Sequence, residues 1–299
     1  MHAAPFAFHA ARDLKDALEV LAMSPGAAVL AGGLSLIPEL RSRRRRAALL
    51  VDINNVPGLD GVTALAGRPG GPRPVLRIGC TARQADVLAV AARHPGHALL
   101  AAALRTMGTA LVRQRGTLAG AVAQAAPELQ MSALCSVLDI RVTVRRAADT
   151  HDRAARELYA EAGPGPGELV AAVEVPGCRS GEGWAFLRAG RRTFGAHLGG
   201  VAVRLDLHPD GRCRGARIAP FVAGHDGTAL AEAGASLCSG PVDTQAVRRA
   251  ADLAARTVRT RSDALASADY RRHLVRVLVR RALVQAVDRT RGPFGEVVS

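Results

Sequence analysis

Two short stretches of small residues carry the clearest chemistry in this chain. Ala31-Gly32-Gly33-Leu34-Ser35 and Thr117-Leu118-Ala119-Gly120 each combine glycine with a hydroxyl side chain. Glycine has no Cβ, so the backbone can approach a ligand closely and turn its N–H groups outward. Outward amides at the start of a helix bind phosphate, and Ser35 adds a hydroxyl donor. Two such loops in one domain fit a ligand with two phosphates. Taken singly, each is also what an ordinary turn looks like.

No other catalytic pattern competes. Cys80, Cys135, Cys178, Cys213 and Cys238 include no C-x-x-C pair, so neither zinc nor an iron–sulfur cluster has its usual local spacing. The nine histidines do not cluster, and H-E-x-x-H, G-x-S-x-G and G-x-x-x-x-G-K-[ST] are all missing from the sequence. The expectations are a structural role for each cysteine, no metal on this chain, and no catalytic side chain of its own. A bound cofactor would then carry the chemistry.

The elements around these loops follow from periodicity. Leu14, Ala17, Leu18, Leu21 and Ala22 share one face of a helix over 12–23, which Ser24-Pro25-Gly26 ends. Ala27–Leu30 reads as a buried strand running into the first loop. Leu36–Leu40 begins a helix that tolerates Pro38 near its start, and Leu49–Ile53 is the next strand. Residues 67–74 form a Gly/Pro loop and Val75–Gly79 a strand. Thr81–Ala92, Ala98–Met107 and Met131–Leu138 read as helices, and Arg141–Arg145 as a strand. Gly163-Pro164-Gly165-Pro166-Gly167 is the sharpest break in composition and the expected domain boundary, with a strand over Leu169–Val175 beyond it. Trp184–Leu187, Gly199–Leu207 and Ala216–Val222 then read as an antiparallel sheet with turns such as His208-Pro209-Asp210-Gly211. Gly199-Gly200 reads as a strand turn. Helices over Thr228–Leu237, Thr244–Val258 and Ala268–Val287 close the chain.

Composition sets outer limits. The 299 residues are 48 % apolar, which excludes intrinsic disorder, and five cysteines are too sparse for a disulfide scaffold. Lys plus Arg number 40 against 26 Asp plus Glu, a formal +14, and Lys15 is the only lysine. That charge fits an anionic partner or general solubility. Arg41 and Arg43–Arg46 make a charged helix end or a docking surface. Nucleic acid is not expected, because aromatics are 3 % of the chain and stacking platforms are missing. No apolar run is long enough to span a membrane, and Met1-His2-Ala3-Ala4-Pro5 does not open a secretory signal, so a cytoplasmic location is expected.

Seven ordered stretches resemble one family. Ala31-Gly32-Gly33-Leu34-Ser35-Leu36-Ile37-Pro38 resembles the A-G-G-x-S-L-I-P signature of the FAD-binding medium subunits of molybdenum hydroxylases, the family of carbon monoxide dehydrogenase and xanthine dehydrogenase flavoproteins. Val51-Asp52-Ile53 with Pro57-Gly58-Leu59, Arg77–Thr81, and Arg113–Gly120 (against R-N-R-G-T-I-G-G) look like its next three motifs. Gly167-Glu168-Leu169-Val170 through Pro176, Phe186-Leu187-Arg188 with Arg191-Arg192, and Ser267–Arg272 through Leu283 resemble the rest. The similarity runs from Pro5 to about Leu283.

The resemblance implies an α+β chain. A vanillyl-alcohol-oxidase (PCMH-type) FAD-binding domain would occupy 1–165. A smaller antiparallel-sheet-plus-helices domain, of the carbon monoxide dehydrogenase flavoprotein C-terminal type, would occupy 166–290, and 291–299 would be a tail. It implies FAD as cofactor, held by Leu30, Ala31, Gly32, Gly33, Leu34, Ser35, Leu36, Met107, Thr117, Ala119, Gly120, Val170 and Arg188. It implies partners too: a molybdenum-binding large subunit and a [2Fe–2S] small subunit, whose clusters pass electrons through FAD to an acceptor. A stand-alone flavoprotein of a biosynthetic pathway and a scaffold or binding protein that has lost FAD are the alternatives.

The second loop departs from the family pattern T-I-G-G-[NS]-x-A-H-A-D. Ala119 stands for a glycine, Ala121 for Asn or Ser, Gln124 for His, Ala126 for Asp and Gln130 for a carboxylate. Thr109 replaces a common His, and Leu34 a Gln or Asn. Each neutral hydrogen bond lost to a ligand costs about 0.5–1.5 kcal/mol, so weaker FAD binding is expected. The added Cβ of Ala119 is expected to hinder approach to the pyrophosphate.

Overall fold

A computed structural model describes residues 3–66, 72–190 and 197–291. Met1-His2, Gly67–Gly71 of the expected loop, Arg191-Arg192 and residues 292–299 of the expected tail lie outside the described residues.

The chain opens with a small parallel layer. β1 (Ala7–Ala10), α1 (Leu14–Met23), β2 (Ala27–Leu30), α2 (Leu36–Arg41) and β3 (Leu49–Asp52) follow in turn, with strand order β1-β3-β2. α1 starts where the Asp13 carboxylate accepts the Asp16 N–H at 2.8 Å, a standard N-cap. Its apolar face buries Ala17, Leu18 and Leu21 against the main core. Leu36 and Leu40 of α2 pack with Ala28, Ala47 and Leu50 in a separate small core. The glycine loop between β2 and α2 is therefore anchored at both ends by buried side chains.

The second layer is larger. It contains β4 (Val62–Leu65), β5 (Val75–Gly79), α3 (Gln84–Ala91), α4 (Ala98–Thr106), α5 (Ala110–Arg115), α6 (Leu118–Ala123) and α7 (Gln130–Leu138). β6 (Arg141–Arg145), β7 (Thr150–Ala154), α8 (Ala155–Ala160) and β8 (Leu169–Pro176) complete it. The strands form one antiparallel sheet in the order β4-β5-β8-β6-β7.

The boundary expected at 165/166 falls one strand too early. β8 follows the Gly/Pro break yet hydrogen-bonds β5 on one side and β6 on the other, so it is a central strand of this sheet. The break is a surface turn, with Ala162, Gly163 and Gly167 at positive φ. The second domain begins between Pro176 and Glu182.

That domain is a three-stranded antiparallel sheet, β9 (Glu182–Gly190), β10 (His197–Leu207) and β11 (Cys213–Phe221), in the order β11-β10-β9. α9 (Ala231–Ala235), α10 (Thr244–Thr257) and α11 (Ala268–Arg291) cover it. Val275, Val279, Ala282, Leu283 and Ala286 of α11 are buried in its core, as the apolar face predicts. Gly199-Gly200 is not a turn. Both residues lie within β10, and a Cβ on Gly200 would stand 2.0 Å from the Phe221 ring. α9 is shorter than the helix expected over Thr228–Leu237, because Asp226 accepts the Thr228 N–H and hydroxyl and holds a turn there.

The two domains share an apolar contact. Ala202, Ala219 and Phe221 join the main core of the first domain, and Phe186 stacks on Phe221 with ring centroids 5.3 Å apart. Charge pairs border it. Arg73 grips buried Glu182 with both guanidinium nitrogens. Asp139 accepts from Arg204 at 3.3 Å and from Arg217 at 2.6 Å. Trp184 is partly buried against the same core, with the Arg289 guanidinium 3.7 Å over its ring.

Candidate functional site

The two glycine loops are distant in sequence and touch in space. A Cβ on Gly32 would stand 2.5 Å from Arg115 O, 3.0 Å from Gly116 Cα and 3.1 Å from Thr117 N. No side chain fits there, so glycine lets the two backbones meet. A Cβ on Gly116 would in turn come 3.2 Å from Leu34 Cδ1. Gly33 has φ +74°, a left-handed conformation that favours glycine.

Residues just after β3 and at the start of α3 clamp this junction. Asn54 donates to Ala31 O at 2.9 Å and to Asp52 Oδ1 at 2.5 Å. Arg83 donates to Asn54 Oδ1 at 2.8 Å and to Arg115 O at 2.9 Å. The Gln84 N–H donates to Gly116 O at 2.8 Å. One chain of contacts thus runs from the first loop through Asn54 and Arg83 to the second.

The second loop opens α6. Thr117 caps that helix, accepting the Gly120 N–H at 3.1 Å. The Ser35 hydroxyl donates to Gln124 Oε1 at 2.6 Å, across from one loop to the end of α6. Gln124, counted above as a departure, is therefore a tie between the loops. Ala119 is 2 % exposed and belongs to the main core. Its methyl is packed into that core. Gln130 is buried and donates to Thr106 Oγ1 at 3.2 Å, so it joins α7 to the end of α4.

The other candidates fall into place around this junction. Leu30, Ala31, Gly32, Gly33, Ser35 and Gly120 are half-buried, and Leu34 is exposed. Leu36 and Thr117 are buried supports. Met107 ends α4 and is half-buried, and Arg113 holds its end by donating to Gly108 O at 2.7 Å. Val170 is buried in β8, the strand on which α6 packs. Arg188 lies apart, half-buried on β9 in the second domain. Its charge acts on His197 of β10, as do those of Arg271 and Glu128. Burial, then the charges of Arg188 and Arg271, push His197 down to about 4. Glu128 accepts the Gly224 N–H at 2.8 Å and Arg261 at 2.9 Å, joining the segment after α6 to the second domain.

The amides of Gly32, Gly33 and Leu34 have no hydrogen-bond partner among the described residues. Unpaired backbone donors on a half-covered glycine turn suit an anionic oxygen. Two close loops and a rim of small residues match the diphosphate of a dinucleotide, so the residues present fit FAD. Asn54, Arg83 and Gln84 were not singled out from sequence. The signal was there, since Asn54 directly follows one recognised motif and Arg83 lies two residues beyond another, but nothing local told their partners.

The fold and site define a flavoprotein built from an FAD-binding domain and an antiparallel-sheet domain. Residues 4–178 match the family described as FAD binding domain in molybdopterin dehydrogenase, and 184–286 match the CO dehydrogenase flavoprotein C-terminal domain. The chain belongs to this family, as an FAD-binding medium subunit of the molybdenum hydroxylase type. It is similar to the 6-hydroxypseudooxynicotine dehydrogenase complex subunit alpha of Paenarthrobacter nicotinovorans, at 29 % identity over 96 % of each chain. Among solved structures it resembles carbon monoxide dehydrogenase from Oligotropha carboxidovorans, with TM-score 0.86 and 26 % identity over 97 % of this chain and 100 % of that one. It also resembles quinoline 2-oxidoreductase from Pseudomonas putida 86, with TM-score 0.85 and 27 % identity over 97 % and 99 %. FAD is the cofactor of the matched domain. Among the described residues, no cluster of His, Cys, Asp or Glu could hold a metal, and no helix is long and apolar enough to cross a membrane.

Proposed function

We propose that this chain is the electron-transfer subunit of a molybdenum hydroxylase-like oxidoreductase. The reading rests on one observation above all, the contact of the two glycine loops at Gly32. That contact brings the half-buried backbone of Ala31–Ser35 beside Thr117 and Gly120. In this reading the Gly32, Gly33 and Leu34 amides and the Ser35 hydroxyl bind the diphosphate. Leu30, Leu36, Ala119 and Val170 support them from the core, and Met107 borders the cofactor. Arg188 contributes a positive charge from β9 of the second domain. When bound, FAD supplies the redox chemistry that no side chain here offers.

The chain's own residues bind and orient the cofactor and exclude water. Substrate oxidation belongs to a partner, a molybdenum-binding large subunit, and electrons arrive by way of a [2Fe–2S] small subunit. Relatives named for carbon monoxide, quinoline and 6-hydroxypseudooxynicotine share one architecture with this chain, which favours placing substrate choice on another subunit. A cytoplasmic setting fits the five thiols.

The test is to co-express the chain with its genomic neighbours, purify the assembly and add candidate substrates anaerobically. Bleaching of the flavin absorbance by a substrate, and not with the isolated chain, is the expected result. A flavin-loaded chain that turns over a substrate alone would favour a stand-alone flavoenzyme.

A further inference from the structure

Two thiols of the second domain lie within reach of a bond. Cys213 opens β11 and Cys238 follows α9, and their Sγ atoms are 3.2 Å apart although the residues are 25 positions apart. Both are free thiols. Backbone contacts hold the two segments together on either side. Arg212 forms a β-bridge with Pro241, and the Val242 N–H donates to Gly211 O at 3.2 Å. A Cβ on Gly234 of α9 would stand 2.5 Å from Ala216 O of β11, so helix and strand are in direct contact. The thiol pair is thus held together by the fold, with the sulfurs 3.2 Å apart against about 2.05 Å in a disulfide.

The two thiols differ in access. Cys213 is buried and belongs to the core of the second domain, whereas Cys238 is exposed. Burial, and then the neighbouring Cys238, push the Cys213 thiol up to about 12. Cys80, Cys135 and Cys178 are buried. Exposure makes Cys238 the one that meets a dissolved oxidant first.

We propose that Cys213 and Cys238 form an oxidisable dithiol, which a small disulfide such as glutathione disulfide converts into an intramolecular disulfide stapling α9 to β11. The Cys238 thiolate attacks one sulfur of the oxidant, forming a mixed disulfide and expelling one glutathione thiolate. The Cys213 thiolate then attacks the Cys238 sulfur, forming the internal bond and expelling the second glutathione thiolate. The two protons released by the cysteines end on the two departing glutathiones. Two protein thiols are oxidised and one glutathione disulfide is reduced. None of the proposed FAD-binding residues takes part, so the dithiol stands or falls independently of the electron-transfer reading.

The test uses the full chain, incubated with excess glutathione disulfide, quenched in acid, unfolded and alkylated before mass spectrometry. The expected result is a loss of two of the five alkylatable thiols. A non-reducing peptide map should link Cys213 to Cys238, and dithiothreitol should restore all five thiols. Cys213→Ser should stop at one glutathione on Cys238. Should that variant misfold, the wild-type peptide map decides alone. Five alkylatable thiols after oxidation, a link through Cys80, Cys135 or Cys178, or a wild-type chain halted at the Cys238 adduct would overturn the proposal.

Discussion

The Ser35 hydroxyl donates a 2.6 Å hydrogen bond to Gln124 Oε1, and so ties the first glycine loop to the end of α6. The same hydroxyl is the side-chain donor assigned to FAD, and since it has one proton it must turn from Gln124 to the phosphate when FAD binds. Ser35→Ala removes both the tie and the donor, whereas Gln124→Ala removes the tie and frees the hydroxyl. Ser35→Ala should weaken FAD binding by about two- to tenfold, the equivalent of one neutral hydrogen bond of about 0.5–1.5 kcal/mol. Gln124→Ala should weaken it less. Flavin fluorescence titration of both variants checks the order, and the reverse order would contradict the assignment.

Gly32 carries the contact between the loops. In Gly32→Ala the new Cβ meets backbone, Arg115 O at 2.5 Å, which cannot swing aside as a flexible side chain would. The loops must separate. A stability loss of about 1–3 kcal/mol is expected, with flavin content falling well below wild type. Urea denaturation and the flavin-to-protein absorbance ratio measure the two effects. A variant with wild-type flavin content would show that the loop contact does not matter for FAD.

The domain junction predicts a pH effect with a definite sign. Glu182 is 4 % exposed. Burial works against its charge, but the Arg73 and Arg179 N–H hydrogen bonds and the charges of Arg73 and Arg204 outweigh it and hold the carboxyl below its usual range. Its stabilisation is present above the unfolded value of about 4.3 and is lost as pH falls through the lower folded value. Arg73→Ala leaves a buried carboxylate without its main partner and should cost about 3–5 kcal/mol near neutral pH. That deficit should shrink on acidification, as Glu182 becomes neutral. Chemical denaturation of wild type and variant across the acid range measures it, and a deficit independent of pH would contradict the account.

His97 works in a higher pH window. It is 2 % exposed, and neither ring nitrogen has a hydrogen-bond partner among the described residues. Burial, then the nearby His94, push it down to about 4. Between the unfolded value of about 6.5 and the folded one, the unfolded chain binds the proton and the folded chain does not. Stability from the neutral imidazole is therefore present above that window and lost as pH falls through it, by about 3 kcal/mol in all. His97→Leu should flatten this part of the stability–pH curve and be at least as stable as wild type at pH near 5 (about one unit above the folded value). An unchanged slope would contradict the neutral, buried assignment.

Much of this was legible in the sequence. α1 showed its apolar face, and β2, β3 and β5 stood out as short apolar runs between turn residues. The glycine loops were readable because each sits inside a longer stretch that resembles a family motif. β7 was not, because its Thr-His-Asp-Arg-Ala sequence is polar and pairs only at the sheet edge. α6 read as part of a loop, since six small residues carry almost no periodicity and the helix depends on the Thr117 cap and on core packing. The domain boundary misled for a physical reason: glycine and proline mark a turn, and only strand pairing shows which sheet the next strand joins. The junction at Gly32, the Asn54–Arg83 clamp and the buried Ala119 are tertiary facts with no local signature.

The most direct test of the central claim is an absorption spectrum of the purified chain, before and after adding FAD and desalting, repeated on the chain assembled with its partner subunits. The account predicts flavin bands that survive desalting in wild type and fall in Gly32→Ala. A folded protein that stays colourless after FAD addition, both alone and in the assembly, would contradict it and leave this fold as a scaffold without a redox role.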